Sequence, residues 1–286
     1  MSANINKPRT YWQSVRSRLR RDPVTLSCAG IIIGIVLLSI FAPLIAPANP
    51  YDANMLNRLA PIGSPGYPLG ADELGRDMLS RLIYGGRISL IMGLLPVFLA
   101  LLIGASCGII AGYVGGRTNM LIMRTMDIFY AFPSVMLAIA ISGAIGAGIE
   151  NGLLSLTLVF IPPITRVSES ITVQIKSLDF IDAARATGAS NSRIILSHII
   201  VNALGPIFIY CTSLVSVSII IASGLSFLGL GVSPPEADWG LMLSTLRQSI
   251  YVNPWVCALP GVMIFTTSLC FNLMSDGLRS AMDVKM

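Results

Sequence analysis

Charged side chains are scarce in this sequence. Only 12% of its 286 residues are Asp, Glu, Lys or Arg, while 54% are hydrophobic. An ordinary soluble domain has about twice that charged share. The apolar residues also stand in long blocks, which a soluble core cannot hold without burying backbone on every side. These features exclude a typical soluble protein and indicate that most of the chain lies in a lipid bilayer.

Lysine and histidine are rarer still, with three lysines, Lys7, Lys176 and Lys285, and one histidine, His198. No lysine follows a glycine, so the sequence lacks the Gly-Lys-Ser/Thr phosphate loop that commonly binds ATP. His198 has no second histidine or cysteine at ligand spacing, which argues against a metal site. No Ser, His and Asp set is placed as a hydrolase would need. We therefore predict a chain that is not an enzyme and binds no cofactor or metal.

The cysteines and the net charge add two further exclusions. The five cysteines are odd in number and all fall inside apolar blocks, which is typical of small apolar fillers rather than of disulfides. The formal net charge of +5 comes from scattered positive residues and is better explained by membrane asymmetry than by nucleic-acid binding. The cysteines are Cys28, Cys107, Cys211, Cys257 and Cys270.

Six apolar blocks are long enough to cross a bilayer, since a transmembrane helix needs about 20 apolar residues. The sequence therefore predicts an all-α, polytopic membrane protein with about six transmembrane helices. The blocks run from Val24 to Ala46, Ile88 to Val114, Met120 to Gly146, Gly152 to Val173, Leu204 to Val232 and Pro254 to Gly277.

The distribution of basic residues predicts the orientation. Fourteen of the 19 Lys and Arg residues fall on the side that holds the N-terminus, and five fall on the other. Basic residues concentrate on the cytoplasmic side, so both termini are predicted to be cytoplasmic. The first apolar block is too long for a cleaved signal and stays as an anchor. The predicted parts are a basic cytoplasmic segment 1–23, a first transmembrane helix 24–46, an extracytoplasmic segment 47–87, a five-helix core 88–280 with a cytoplasmic loop 174–203, and a cytoplasmic tail 281–286.

Glycines in the predicted spans indicate where helices pack closely, and prolines indicate where helices bend. Small residues repeated every fourth position on a membrane helix let a neighbouring helix approach closely, and proline kinks a helix where neighbours satisfy the freed carbonyls. We expect tight packing within the protein at the glycines and kinks, suited to a pathway that opens and closes, at the prolines. The glycines are Gly104, Gly108, Gly112 and Gly116, and the prolines are Pro133, Pro162, Pro163 and Pro260.

Two ionisable residues stand near the start of the third span, Arg124 and Asp127, three positions apart. Residues at this spacing on a helix are neighbours, so we predict an intramembrane charge pair. Charged groups at membrane depth usually face a cavity or each other. A structural ion pair near the cytoplasmic side is favoured over a substrate contact.

The cytoplasmic loop 174–203 contains a short predicted helix. Asp179 fits its N-cap, and Asp182 follows at the acidic position of a capping box. Gly188 is the natural residue after the helix end because glycine adopts the left-handed conformation cheaply. A second helix begins at Ser190 and returns the chain to the membrane.

A helix of about two turns is too short to be stable alone in water. Ala183 and Ala184 predict a flat face on which another protein could close. The alternative is a loop that merely covers the cytoplasmic ends of the bundle, and spacing alone leaves both open.

These residues also match a known pattern. Asp182-Ala183-Ala184, with Gly188 after three intervening residues, resembles the EAA loop of ABC importer permeases. The resemblance implies that Asp182, Ala183, Ala184, Arg185 and Gly188 form a coupling helix that inserts into an ATPase subunit. Asp182 stands where Glu is usual, and Val201 stands where the family often has Pro.

Further segments resemble the dipeptide, oligopeptide and nickel permease family, in particular its C-type subunit. The similarity runs from about residue 24 to the C-terminus. The resemblance implies that Asp72, Glu73, Arg76 and Asp77 form an extracytoplasmic gate or contact a binding protein. Glu169 stands where related permeases often carry Arg. The matching segments are 69–77, 225–232, Pro234-Pro235, Trp239-Gly240 and 271–279.

The resemblance implies a type I ABC importer transmembrane domain in the bacterial inner membrane. Expected partners are a homologous B-type permease subunit, two ABC ATPase subunits that hold ATP and Mg, an extracytoplasmic substrate-binding protein and membrane lipid. Di- and oligopeptides are the expected substrates; nickel chelates, glutathione or another small polar solute are alternatives. A self-contained secondary transporter would need ionisable residues near the bilayer midplane, and a purely structural subunit would have no pathway.

Overall fold

The computed structural model describes residues 11–282, and these fold almost entirely as α-helices. Lys7, Arg9, Lys285 and the end of the predicted tail lie outside the described residues. The helices are α1 Tyr11–Leu19, α2 Pro23–Ile40, α3 Ala42–Ile45, α4 Met78–Val114, α5 Gly116–Tyr130, α6 Ser134–Ile145, α7 Ile149–Lys176, α8 Asp179–Ala186, α9 Asn191–Ile194, α10 Ile200–Phe227, α11 Trp239–Leu246 and α12 Pro254–Met282.

Five helices of the described chain are long and apolar enough to cross a membrane: α2, α4, α7, α10 with the turns before it, and α12. A sixth span forms if α5 and α6 are counted together, and these two helices meet at an angle of 85°. The third predicted span is therefore sharply broken instead of being one helix with a kink. Pro133 lies at the break, where it lacks an amide donor and disfavours helical geometry in the residue before it.

Helix α4 begins at Met78, well before the predicted start of the second span at Ile88. Asp77 caps it by accepting hydrogen bonds from the backbone N–H of Ser80 at 2.8 Å and from its hydroxyl at 2.6 Å. Its 37 residues span about 55 Å at 1.5 Å per residue. That exceeds the hydrocarbon thickness of about 30 Å, so the first turns of α4 stand clear of the membrane and belong to the segment before it.

The predicted glycine stripe brings α4 against α7. A Cβ added at Gly104, Gly108 or Gly112 would lie 2.9, 2.4 and 2.8 Å from backbone carbonyl oxygens of α7. Only residues without a side chain permit that approach, which confirms the packing role of these three glycines. Gly116 is different, because it has a φ of +53° and begins α5 with open space around it. The stripe therefore ends at Gly112.

The bundle has two ends, which we call the α8 face and the opposite face. The α8 face holds α1, the short helices α8 and α9, and the end of α12, since Val15, Leu204 and Met282 line one cleft there. The opposite face holds residues 46–77 and 228–253. Arg81 joins two parts of that face by donating hydrogen bonds to the carbonyl oxygens of Pro50 at 2.9 Å and Glu236 at 3.3 Å.

Candidate functional site

Helix α8 follows α7 after two residues and begins one position earlier than the capping pattern predicts. Its N-cap is Leu178, which is extended with a φ of −88° and a ψ of 143° and makes no side-chain cap. Asp179 therefore occupies the first helical position, and the prediction that it caps the helix is wrong. Asp179 and Asp182 lie in the first turn, where their negative charge stabilises the helix through its dipole.

The predicted stop of α8 is present at Gly188, which has a φ of +81°. The N–H of Gly188 donates to the carbonyl oxygen of Arg185 at 2.9 Å, and that of Ala189 donates to Ala184 at 3.1 Å. This pair of bonds is a Schellman motif, which satisfies the last helical carbonyls and requires a left-handed residue. Ser190 then caps α9 by accepting from the N–H of Arg193 at 3.4 Å.

One side chain anchors α8 to the rest of the protein. Ile181 is completely buried in the core cluster, and the ring of Phe180 lies 6.3 Å from that of His198. Ala184 is half-buried against the core, so the predicted flat face of two alanines is reduced to Ala183. This difference follows from the helical spacing, because Ala184 lies one turn from Ile181 on the same side.

Half of the exposed residues of α8 are charged. Asp182 has 70% of its side chain exposed and pairs with Arg185 at 3.1 Å, an arrangement confined to the helix itself. Exposed ion pairs of this kind stabilise a protein little. The exposed residues are Asp179, Phe180, Asp182, Ala183, Arg185 and Ala186. The helix is thus held from one side and open on the other.

Two polar contacts tie the loop around α8 to the ends of the long helices. The hydroxyl of Tyr113, at the end of α4, donates to Asn191 Oδ1 at 2.7 Å. Lys176 Nζ, at the end of α7, donates to the carbonyl oxygen of Tyr113 at 2.7 Å. The first contact joins α9 to α4 and the second joins α7 to α4, so the start of α9 is held to the ends of both long helices. Sequence reasoning missed Tyr113 and Asn191, which carry no motif and lie far apart in the chain.

On the opposite face, the predicted gate residues form a buried ionic cluster. Arg76 Nε lies 2.6 Å from Asp72 Oδ2, and its Nη2 lies 2.9 Å from Glu73 Oε1. Arg81 Nε approaches the same Asp72 oxygen at 3.2 Å. Asp72, Arg76 and Asp77 are almost fully buried. The cluster holds the segment together from within, and the role of these residues as a gate or a binding-protein contact stays a prediction.

Large apolar side chains are exposed on the same face. Leu56 is 95% exposed and Tyr251 is 97% exposed, and Met55, Val252 and Trp255 are also mostly uncovered. Exposed apolar patches at a protein end commonly mark interaction sites. Sequence reasoning missed these residues, because an isolated apolar residue in a loop carries no pattern.

A buried carboxylate holds the second half of the opposite face in place. Asp238 accepts hydrogen bonds from the hydroxyl of Ser89 at 2.6 Å and from the N–H of Leu241 at 3.0 Å, and so caps α11. The indole N–H of Trp239 donates to the carbonyl oxygen of Leu82 at 2.9 Å. Burial raises the pKa of Asp238 above its ordinary value, against the opposing effect of the Ser89 and backbone hydrogen bonds.

Arg124 and Asp127 form the predicted ion pair, but it is loose. Arg124 Nη1 lies 3.8 Å from Asp127 Oδ2, and 79% of the Arg124 side chain is exposed. The main partner of Asp127 is Arg166 of α7, whose Nη2 donates to Asp127 Oδ1. The guanidinium of Arg166 also lies over the ring of Tyr130, 4.7 Å from its centroid. The sequence missed Arg166 because the packing of α5 on α7 creates this pair.

Glu169 contacts α5. The sequence alone does not predict this partner. Asn119 Nδ2 donates a hydrogen bond to Glu169 Oε1 at 2.7 Å and a longer one to the carbonyl oxygen of Ala111 at 3.3 Å. Asn119 therefore joins the beginning of α5 to both α4 and α7. The first half of the broken span is fixed by this contact and by the Asp127–Arg166 pair.

Two family models match the chain. Residues 104–286 match the binding-protein-dependent transport system inner membrane component. Residues 10–61 match the N-terminal transmembrane domain of oligopeptide transport permease C. The first match contains α8, Gly188 and the broken span, and the second contains α1 and α2. Together they leave residues 1–9 and 62–103 unmatched, and the second of these ranges contains the buried ionic cluster and most of α4.

Known permeases are similar over nearly the whole length. The dipeptide transport system permease protein DppC of Alkalihalophilus pseudofirmus is 39% identical, covering 96% of this chain and 90% of the relative. The glutathione transport system permease protein GsiD of Escherichia coli O157:H7 is 40% identical, covering 97% and 92%. Both relatives are permease proteins of transport systems.

A solved structure has the same fold. An inward-facing form of the MetNI methionine ABC transporter matches with a TM-score of 0.60 at 18% identity, over 71% of this chain and 97% of that one. The fold, the family matches and the sequence relatives agree. This multi-pass membrane protein belongs to the family of binding-protein-dependent transport system inner membrane components, and within it to the C-type permeases of peptide ABC importers.

Proposed function

We propose that this chain forms one half of a heterodimeric translocation pathway in the bacterial inner membrane, beside a homologous B-type permease subunit. Two ABC ATPase subunits bind ATP and Mg, and a substrate-binding protein delivers the solute from the other side. This chain binds neither ATP nor Mg and catalyses no reaction. Membrane lipid surrounds its outer helices.

The α8 face is cytoplasmic in this proposal. It carries most of the basic residues of the described chain, and cytoplasmic ends of membrane proteins are enriched in Lys and Arg. The described ends of the chain lie on this face too, since α1 packs on α12. The opposite face is then the one that meets the binding protein, with Leu56, Tyr251 and Trp255 as its exposed apolar contacts.

The observation that carries the proposal is the one-sided anchoring of α8. Ile181 is its only completely buried side chain, while its two ends are fixed by the preceding α7 and by the Schellman motif at Gly188. A helix of 8 residues with one buried side chain gains stability when a partner protein covers its exposed side. In an importer of this family, the ATPase is the partner expected at the cytoplasmic face.

Movement of α8 provides the link between ATP and transport. When the ATPases close, α8 moves with them, and the contacts of Tyr113 with Asn191 and Lys176 carry the displacement to α4 and α7. The break at Pro133 lets α5 and α6 change their angle. ATP then biases an equilibrium between inward-open and outward-open arrangements.

A substitution on the exposed side of α8 tests this role. In the purified complex with its ATPases and binding protein, Ala183→Arg places a bulky charge in the proposed contact. ATPase association should fall about tenfold, equivalent to about 1.4 kcal/mol, and transport should fall with it. Ser192→Arg, at an exposed position of α9 on the same face, is the matched control. Equal association and transport in both variants would contradict the proposal.

The Asp127–Arg166 pair lies beside the broken span and is partly exposed in the isolated chain, with side-chain exposures of 41% and 48%. Exposed charges at membrane depth require water or a partner to solvate them. We therefore place this pair on the wall of the translocation pathway. Asp127→Arg should abolish transport, and the exchanged double variant Asp127→Arg with Arg166→Asp should restore a part of it. No recovery in the double variant would show that the pair has no joint role.

Di- or oligopeptides are the proposed substrates, supported by the dipeptide permease relative. Glutathione is the second candidate, because a glutathione permease is equally similar. ATP hydrolysis by the complex, measured with its binding protein against a panel of dipeptides, oligopeptides, glutathione and nickel chelates, separates them. Stimulation by nickel chelate and by no peptide would overturn the substrate proposal. Full transport without any ATPase would instead indicate a secondary transporter.

A further inference from the structure

An open apolar cleft lies between α2, α4, α10 and α12. It has a volume of about 1030 Å³ and is lined mainly by aliphatic and aromatic side chains, among them Leu94, Leu101 and Phe208. Arg87 lies at its end on the opposite face, and no Asp or Glu stands among the described residues that line it. The volume slightly exceeds the range for small-molecule sites, about 300–1,000 Å³.

A second apolar cleft continues the first towards the α8 face. It has a volume of about 690 Å³ and shares Leu101 and Phe208 with the first cleft. Arg16 of α1 lies at its far end. The two clefts therefore form one groove that runs along the bundle with an arginine at each end.

The groove crosses most of the hydrocarbon layer. The first cleft follows α4 from Arg87 to Leu101, which is about 21 Å at 1.5 Å per residue, and the second continues from Leu101 to Arg16, within a bilayer whose apolar thickness is about 30 Å. Arg87 is fixed beside the end of α2, where its Nε donates to the carbonyl oxygen of Ser39 at 2.6 Å and its Nη2 to that of Ile40 at 2.7 Å. Arg87 therefore lies at the level of the lipid headgroups.

Arg87 keeps donors for a ligand. A guanidinium has five N–H groups, and the bonds to Ser39 and Ile40 need only two of them. The side chain is half-buried, so the guanidinium is fixed in position and is still accessible to a ligand. Arginine binds phosphate through paired hydrogen bonds in this way.

We propose that this groove is a phospholipid-binding site. A phospholipid of the leaflet on the opposite face places its phosphate on Arg87 and an acyl chain along Leu94 and Phe208. The alternative occupant is a helix of the partner permease, which would take the Arg87 guanidinium out of water at a substantial cost unless that helix supplied an anion. The site serves to seal the joint between the anchor helix α2 and the core, and it is independent of which solute is transported.

Photolabelling tests the proposal on the complete complex in nanodiscs of phosphatidylethanolamine and phosphatidylglycerol, with a diazirine on one acyl chain of a small fraction of the lipid. We expect adducts to concentrate on the groove segments of α4 and α10. Arg87→Gln should lower groove labelling about tenfold, the change expected from losing a charge-assisted hydrogen bond. Leu94→Trp, which fills the groove, should lower it as well.

Leu102→Trp is the matched control, since Leu102 lies on the same helix, is 53% exposed and is outside the groove. Thermal melting of each complex separates loss of lipid from loss of folding. Labelling spread evenly over the outer spans would overturn the proposal, as would equal labelling in wild-type, Arg87→Gln and Leu94→Trp complexes. A cross-link from a photoreactive residue at position 94 to the partner permease would show that protein occupies the groove.

Discussion

The N–H of Ala189 donates a hydrogen bond to the carbonyl oxygen of Ala184 at 3.1 Å, and this bond closes the end of α8. It forms only if Gly188, between them, keeps its φ of +81°. A side chain at that position costs about 1–2 kcal/mol of local strain. The end of the proposed coupling helix is therefore set by one residue.

Gly188→Ala should loosen this turn. We expect solute-stimulated ATP hydrolysis and transport to fall severalfold while the melting temperature of the spans is unchanged, because nothing packs on Gly188. Gly30→Ala, a helical glycine in α2 with equally open surroundings, is the control and should leave both rates unaffected. A coupled, fully active Gly188→Ala complex would show that the end of α8 does not matter for coupling.

Gly108→Ala should destabilise the joint between α4 and α7. Its Cβ would lie 2.4 Å from the carbonyl oxygen of Thr165, so the helices must separate, and such overpacking costs about 1–3 kcal/mol. Thermal unfolding in detergent, followed by circular dichroism, should show a lower melting temperature. Gly143→Ala, in α6 with no atom within 4 Å of the new Cβ, should not change it.

Arg81→Met should weaken the opposite face. Arg81 and Asp72 each have only 2% of their side chain exposed, and removing one partner of a buried ion pair costs about 3–5 kcal/mol. We expect faster proteolysis of the segment 47–77 in vesicles oriented so that the protease reaches the opposite face. Arg58→Met, at an exposed position of the same segment, supplies the comparison, and similar cleavage of the two variants would contradict a stabilising role for the cluster.

The buried carboxyl of Asp238 should make stability fall as the pH rises. Burial raises its folded-state pKa above the ordinary value of 3.8, so the folded protein holds this proton more tightly than the unfolded chain. Between the two pKa values, stability therefore decreases with increasing pH. Asp238→Asn keeps a residue able to cap α11 and removes the titration.

The measurement is the difference in melting temperature between the Asp238→Asn and wild-type complexes across this range. It should grow in favour of Asp238→Asn from pH 4 upwards and level off once the folded-state carboxyl is ionised. A difference that is constant with pH, or that shrinks as the pH rises, would show that the carboxyl does not titrate as its burial indicates.

The sequence predicted features that depend on local composition. Long apolar blocks located the spans. Gly188 marked the end of α8 because its backbone is left-handed, and the glycines repeated every fourth position in α4 marked its close packing on α7. Pairs between distant residues were invisible, which is why Arg166 was missed as the partner of Asp127 and Tyr113 as that of Asn191. The sequence also does not predict burial, because nothing in the spacing of Asp72, Arg76 and Arg81 shows that their charges meet in an internal cluster.

The most direct test of the account is photo-cross-linking from position 183. A photoreactive amino acid at Ala183, on the exposed side of α8, should cross-link to the ATPase subunit in the assembled complex, and the yield should change when ATP is bound. The same amino acid at Ser197, exposed in the turn before α10, should cross-link far less. Equal yields at the two positions, or no ATPase adduct from position 183, would contradict the coupling role of Asp182 to Gly188.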